Sequence, residues 1–119
     1  MTIKYKKDLG SITAFIFEED KYVSMCRMTY GNNTWSISEW YTESDNRHQG
    51  YGKQALKAVV TWLLDNNITA IDIRYNWNKD NDYVKCWIEK HFDPIVILDD
   101  FEIVIYKLNT EKFFKYIED

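Results

Sequence analysis

Gly50 and Gly52 stand two apart in the run Arg47-His48-Gln49-Gly50-Tyr51-Gly52-Lys53, in a chain with only four glycines. The run lies where a β-rich stretch gives way to an apolar pattern of helical period, so both glycines fall in the first turn of a helix. Glycine in a helix interior costs about 1 kcal/mol relative to alanine. Two needs would account for it: a turn that requires positive φ, or backbone that a ligand must touch. A helix N-terminus presents amides without intrahelical partners at the positive end of its dipole. An anion such as a pyrophosphate could approach those amides where no Cβ intervenes. A lone Gly-x-Gly does not decide between the two readings.

The elements that must position this turn are legible around it. SITAFIF (11–17), YVSMCRMTY (22–30) and TWSISEWYT (34–42) are β-branched and aromatic stretches separated by the turn signals EEDK and GNN. They predict a three-stranded antiparallel meander, led by a short strand in TIKYK. From Gly50 the period changes: Ala55, Leu56, Val59, Val60, Trp62 and Leu63 predict a buried helix that stops near Asp65-Asn66-Asn67. TAIDIRY (69–75) predicts a strand, and residues 82–90 a second helix with Asn81 as N-cap and Pro94 as its terminator. IVIL and FEIVIYKL, flanking Asp99-Asp100, predict a hairpin, and the tail at 109–119 a short amphipathic helix. The order predicts a mixed α/β (α+β) fold with a mostly antiparallel sheet of six or seven strands and two main helices.

At 119 residues, 45% hydrophobic and 17% aromatic, the chain is expected to form a single ordered domain spanning 1–119. No apolar run reaches the roughly 20 residues of a membrane span, and MTIKYKKDLG lacks a signal-peptide core, so a cytoplasmic location without membrane contact is expected. A net charge of −4 argues against nucleic acid held by its phosphates. Cys26, Cys86, His48 and His91 make no metal-ligand spacing, so no metal is expected and the thiols read as buried and reduced. Abundant Lys, Asn, Ile and Tyr with scarce Arg, Gly and Pro suggest AT-rich coding, as in bacteria or phage.

Arg47-His48-Gln49-Gly50-Tyr51-Gly52 resembles the (Gln/Arg)-x-x-Gly-x-(Gly/Ala) motif of the GNAT superfamily of acetyl-CoA-dependent N-acetyltransferases. The predicted order of elements over residues 11–108 is similar to that fold. The resemblance implies that amides of the motif loop, at Gln49, Gly50, Gly52 and Lys53, hold the coenzyme A pyrophosphate, with His48 and Tyr51 in the same loop. It implies further that Trp40, Tyr41 and Thr42 line the pantetheine arm, and that Arg47 and Lys53 set charge opposite phosphate. Lys57 lies one turn further on.

The catalytic groups follow the family less closely. The position of the family's acid tyrosine falls on Trp87, whose indole cannot transfer a proton at neutral pH. Tyr83, one turn earlier, is the substitute, with Cys86 adjacent to Trp87. Family bases often come from the strand before the motif, which offers Glu39. Strict alternation puts Ser36, Ser38 and Trp40 on one face and Ile37, Glu39 and Tyr41 on the other, and a β-bulge would redirect Glu39.

The resemblance implies direct transfer of an acetyl group from acetyl-CoA to a primary amine. A coenzyme-A-binding sensor without catalysis and an interaction protein without cofactor are the alternatives. Family members usually carry two helices between the first two strands, and here the segment before the second strand is ten residues. The acceptor side is therefore expected to be open, which favours a protein or peptide amine over a small metabolite. A homodimer formed through Phe113, Phe114, Tyr116 and Ile117 is another way to close it.

Overall fold

The computed structural model describes residues 1–76, 89–90, 92–98 and 103–108, with the backbone alone at 73–76, 95–98, 103–105 and 108. The chain forms two compact units, Met1–Thr69 and Ala70–Asp119.

The first unit contains β1 (Thr2–Asp8), β2 (Ser11–Glu18), β3 (Lys21–Gly31), β4 (Thr34–Thr42), a 3-10 turn at Ser44–Asn46 and α1 (Tyr51–Asp65). Its strands lie in the order β1-β2-β3-β4, every pair antiparallel. The leading strand is longer than the short one expected, because Thr2–Asp8 pairs along its whole length with Phe17–Ser11. Only Leu9 and Gly10 separate β1 from β2, so no helix intervenes there. Glu19 and Asp20 in the second turn, and Asn32 and Asn33 in the third, all have positive φ, between 51° and 65°. That is the two-residue turn whose twist matches the flanking strands. Asparagine tolerates it; glutamate has no such excuse.

The register assigns the faces. Ile12, Ala14 and Ile16 of β2 lie opposite Met28, Cys26 and Ser24 of β3, and all six are fully buried. Against this face packs α1, whose Ala55, Leu56, Ala58, Val59, Val60 and Leu63 are buried. The expected apolar stripe is thus the core-facing one, each large member contributing about 1.5–3 kcal/mol by its burial. Asn67, at φ 62°, ends the helix in the left-handed region, and the Ile68 and Asn67 amides donate back to the Leu63 and Leu64 carbonyls.

The second unit contains β5 (Ile71–Asn76), β6 (Phe92–Leu98) and β7 (Ile103–Leu108), in the order β5-β7-β6 and antiparallel. Pro94 does not stand outside a strand as expected. It lies within β6, exposed, beside a register irregularity between Pro94 and Val96. β6 stands at the end of the strand order and pairs on one side only, with β7, and such an edge strand tolerates a residue without an N–H. Phe92 and Tyr106 are buried, and the Tyr106 hydroxyl donates to Glu89 Oε1 at 3.4 Å. Glu89 and Lys90 are helical. The rest of the helix expected at 82–90, with Tyr83, Cys86 and Trp87, and the tail at 109–119 lie outside the described residues.

Candidate functional site

The glycine turn joins the end of β4 to the start of α1. Gly50 is the N-cap residue, with φ 85°, and a Cβ there would meet nothing within 4 Å. Its glycine is therefore set by backbone conformation, the first of the two readings of the motif. Gly52 is different. It has helical backbone, and a Cβ would come to 3.4 Å from Thr42 Oγ1 and 3.5 Å from Trp40 Nε1. Those are ordinary contact distances, so alanine fits and a branched side chain would press on β4.

The two elements are tied at this point. Trp40 donates its indole N–H to the Gly52 carbonyl at 2.9 Å. Ser24, fully buried on β3, donates its hydroxyl to the Tyr41 carbonyl at 3.0 Å and shares a 2.9 Å bond with Thr42 Oγ1. With the Ser24 proton so used, Thr42 supplies the hydrogen of the second bond. The end of β4 is thus fastened to β3 by hydroxyls and to the first turn of α1 by an indole.

What α1 presents at that turn is backbone. Its N-cap makes no side-chain hydrogen bond, and no acidic residue lies in its first turn. The helix's own bonding begins with the Gln54 amide on the Gly50 carbonyl. The amides of Tyr51, Gly52 and Lys53 precede it and have no intrahelical acceptor. A 15-residue helix that starts on a glycine, without a capping side chain or a competing carboxylate, has the donor set a phosphate ester needs. Around it, Arg47 donates from Nε to the Thr42 carbonyl at 3.0 Å and sets its guanidinium 5.6 Å from the Tyr41 ring centre. Gln49 reaches the Asp45 carbonyl at 3.5 Å, and His48 has φ 64°. Lys53 is half-buried in the same turn.

Glu39 lies on the other face. The register passes from Arg27↔Glu39 to Met28↔Ile37, so Ser38 is an extra residue in β4, a bulge. Trp40 pairs with Cys26 and faces α1, as does Ile37 opposite Met28, while Glu39 and Tyr41 pair with Arg27 and Met25 on the opposite face. Strict alternation fails here: Trp40 shares a face with Ile37, and Glu39 does not. The bulge is bonded on both sides. Ser38 Oγ shares a 2.8 Å bond with Thr29 Oγ1 and donates to the Arg27 carbonyl at 3.3 Å. Arg27 Nη1 is ion-paired with Glu39 Oε1, and its Nε donates to Thr13 Oγ1 at 3.1 Å. On the same face, burial and then the charges of Glu43, Tyr41 and Glu39 hold the Tyr22 phenol above its usual range, so it stays neutral.

Sequence reasoning missed Arg27, Ser24 and Thr13. The one available signal was a charge interrupting the apolar run Met25-Cys26-Arg27-Met28. Cys26 itself is fully buried and its thiol is pushed far up by desolvation, so it is an inert core side chain. Among the described residues, no group of three or more His, Cys, Asp or Glu could hold a metal ion.

Fold and turn together define an α/β protein with a glycine-opened helix N-terminus beside a bulged strand. The family model of the GNAT acetyltransferases matches residues 3–98, and the chain belongs to that family. Acetyl-CoA-dependent acyl transfer is its general chemistry. Solved structures agree on the fold. A Desulfovibrio desulfuricans protein assigned to the GNAT acetyltransferases has TM-score 0.72 at 16% identity, covering 84% of this chain and 69% of that one. The ribosomal-protein-S18-alanine N-acetyltransferase of Escherichia coli has TM-score 0.68 at 10% identity, covering 86% and 70%. The PaiA N-acetyltransferase of Thermoplasma acidophilum, solved with coenzyme A, has TM-score 0.64 at 12% identity, covering 83% and 60%. No curated protein matches the sequence significantly.

Proposed function

We propose that residues 1–119 act as one GNAT domain that transfers an acetyl group from acetyl-CoA to a primary amine, by direct attack on the thioester. The observation that carries this reading is the uncapped first turn of α1, held to β4 by the Trp40–Gly52 bond. The amides of Gly50, Tyr51, Gly52 and Lys53 would hold the pyrophosphate, with Gln49, His48, Arg47 and the Lys53 ammonium around it. Trp40, Tyr41 and Thr42 would line the pantetheine arm. The bound thioester supplies an acyl group already activated for attack, which leaves the chain the tasks of orientation and proton transfer.

An alkylamine has a pKa near ~10.4 and arrives protonated. Glu39 would take that first proton; as the C–N bond forms and the C–S bond breaks, Tyr83 would give its proton to the departing thiolate, and the second proton lost by the nitrogen would pass through solvent to restore the Tyr83 phenol. A β4 amide at Tyr41 or Thr42 would donate to the acyl oxygen. No metal takes part in this scheme.

The acceptor we favour is a protein lysine or N-terminus. The two-residue link between β1 and β2 supports this, because the helices that usually stand there are missing and a small amine in an open cleft gains little orientation. The S18-alanine enzyme, by its name, acts on a protein amine. A bacterial or phage cytoplasm fits such a role. Among the described residues no helix is long and apolar enough to cross a membrane. A homodimer through the tail at 109–119 would be the other way to wall the cleft.

The test is thiol release from acetyl-CoA with a panel of amines: lysine peptides and whole proteins against polyamines, amino acids and aminoglycosides. Release with the peptides is expected. A small metabolite used at kcat/KM above about 10⁴ M⁻¹s⁻¹ would contradict the open cleft. Coenzyme A binding without release on any amine would make the protein a sensor, and no thermal shift with acetyl-CoA or coenzyme A would remove the cofactor altogether.

A further inference from the structure

Arg27 holds the carboxylate on which the proposed proton transfer depends. Three strands meet in one row: Thr13 on β2, Arg27 on β3 and Glu39 on β4 are register partners on the face opposite α1. Thr13 is fully buried, so its hydroxyl is a fixed anchor for Arg27 Nε. That bond sets the plane of the guanidinium, and Nη1 then meets Glu39 Oε1. The side chains of Arg27 and Glu39 are 34% and 57% exposed, so their pair lies in the screened regime where an ion pair adds little to stability. Its geometry matters more than its strength. A half-exposed carboxylate beside a bulge, with no neighbour to hold it, would sample several rotamers.

The bulge depends on the same residue from its other side, since Ser38 Oγ donates to the Arg27 carbonyl. That carbonyl is one any residue would supply, and the bulge moves Ile37, not Glu39, onto the face of Trp40; what the Arg27 side chain itself fixes is one oxygen of the Glu39 carboxylate. Oε2 has no partner among the described residues and remains for a proton. A lysine could not serve, because an ammonium has no planar fork to span Thr13 and Glu39 together.

We infer that Arg27 is a positioning residue for proton transfer: anchored on Thr13, it pins Glu39 Oε1 and presents Oε2 to the acceptor amine. This rests on the reading of Glu39 as proton acceptor. The experiment measures thiol release from acetyl-CoA with an amine used by the wild type, in Arg27→Gln, Glu39→Gln and their double variant. Coenzyme A thermal shifts are measured beside it. Glu39→Gln should lower kcat about 100-fold, and Arg27→Gln roughly 10- to 100-fold, the cost of a misplaced group. Neither should alter KM for acetyl-CoA or the coenzyme A shift.

The double variant should be no slower than Glu39→Gln alone, because Arg27 acts only through that carboxylate. Added guanidinium at sub-denaturing concentration should restore part of the activity of Arg27→Ala and none of the double variant's. Should Arg27→Gln not fold, Arg27→Lys takes its place, with the same loss expected. Independent, multiplying losses would show Arg27 to be merely structural and overturn the inference. So would an Arg27 variant within about twofold of wild type while Glu39→Gln is impaired. A fully active Glu39→Gln overturns the base assignment, and the inference with it. No thiol release by the wild type on any amine removes the catalytic reading itself.

Discussion

Trp40 and Gly52 are joined by a 2.9 Å hydrogen bond from an indole N–H on β4 to a carbonyl in the first turn of α1. It bridges the strand proposed to line the pantetheine arm and the turn proposed to hold the pyrophosphate. Replacing Trp40 by Phe keeps an aromatic ring and deletes the donor. Unfolding free energy should fall by about 1 kcal/mol, the net worth of such a bond, and the coenzyme A dissociation constant should rise by a further factor of roughly 10. Urea melts and a coenzyme A titration check the pair. Loss of stability with unchanged affinity would make the bond a matter of folding only.

At Gly52 the structure separates two causes that the sequence confounds. Alanine fits against Thr42 and Trp40, so Gly52→Ala should melt at or slightly above the wild-type temperature. If the pyrophosphate approaches this backbone, the same methyl group should weaken coenzyme A binding by about 10-fold, roughly 1.4 kcal/mol. Wild-type affinity in Gly52→Ala would reduce the glycine to a packing residue. Gly50→Ala is the contrast, losing about 1 kcal/mol of stability at a left-handed position whatever the ligand does.

Burial of Cys26 predicts a pH dependence. Its folded thiol is held far above the unfolded value of ~8.5, so above that pH the native state binds the proton more tightly than the unfolded chain does. The contribution is fully present below ~pH 8.5, and stability falls as pH rises beyond it, by up to about 1.4 kcal/mol per unit. Cys26→Ala, less stable at neutral pH, should have a shallower alkaline slope. Urea unfolding from neutral to alkaline pH under reducing conditions measures it, and parallel slopes in the two proteins would contradict the assignment.

Glu19, at φ 51°, stands where asparagine or glycine is at ease. Changing Glu19-Asp20 to Asn-Gly should raise stability by about 1 kcal/mol, since a left-handed residue with a long side chain costs ~1–2 kcal/mol. Thermal melts decide, and an unchanged or lower midpoint would show that the strain is relieved elsewhere.

Much of this molecule can be read from local pattern. The meander, the buried stripe of α1 and its stop at Asn66-Asn67 follow from periodicity and turn residues acting over a few positions. The glycine turn was visible too, though only φ at Gly50 and the approach of Trp40 to Gly52 show that its two glycines have different causes. What local pattern could not supply is anything set by a neighbouring strand. The Ser38 bulge exists because β4 pairs with β3 out of step there, and it reverses the face expected for Trp40 relative to Ile37. Pro94 read as punctuation because its place beside β7 is a fact of pairing. Arg27 went unnoticed because its partners, Thr13 and Glu39, are 14 and 12 residues away.

The three two-residue links of the first unit, Leu9-Gly10, Glu19-Asp20 and Asn32-Asn33, also have a kinetic consequence. Each strand finds its partner across the shortest loop a hairpin permits, so the entropy of closing these contacts is small. Pairings of such short range form in microseconds, and chains rich in them fold quickly. The meander from Thr2 to Thr42 is therefore expected to form early, leaving β4 with Trp40 and Thr42 in place as a template on which the first turn of α1 then settles.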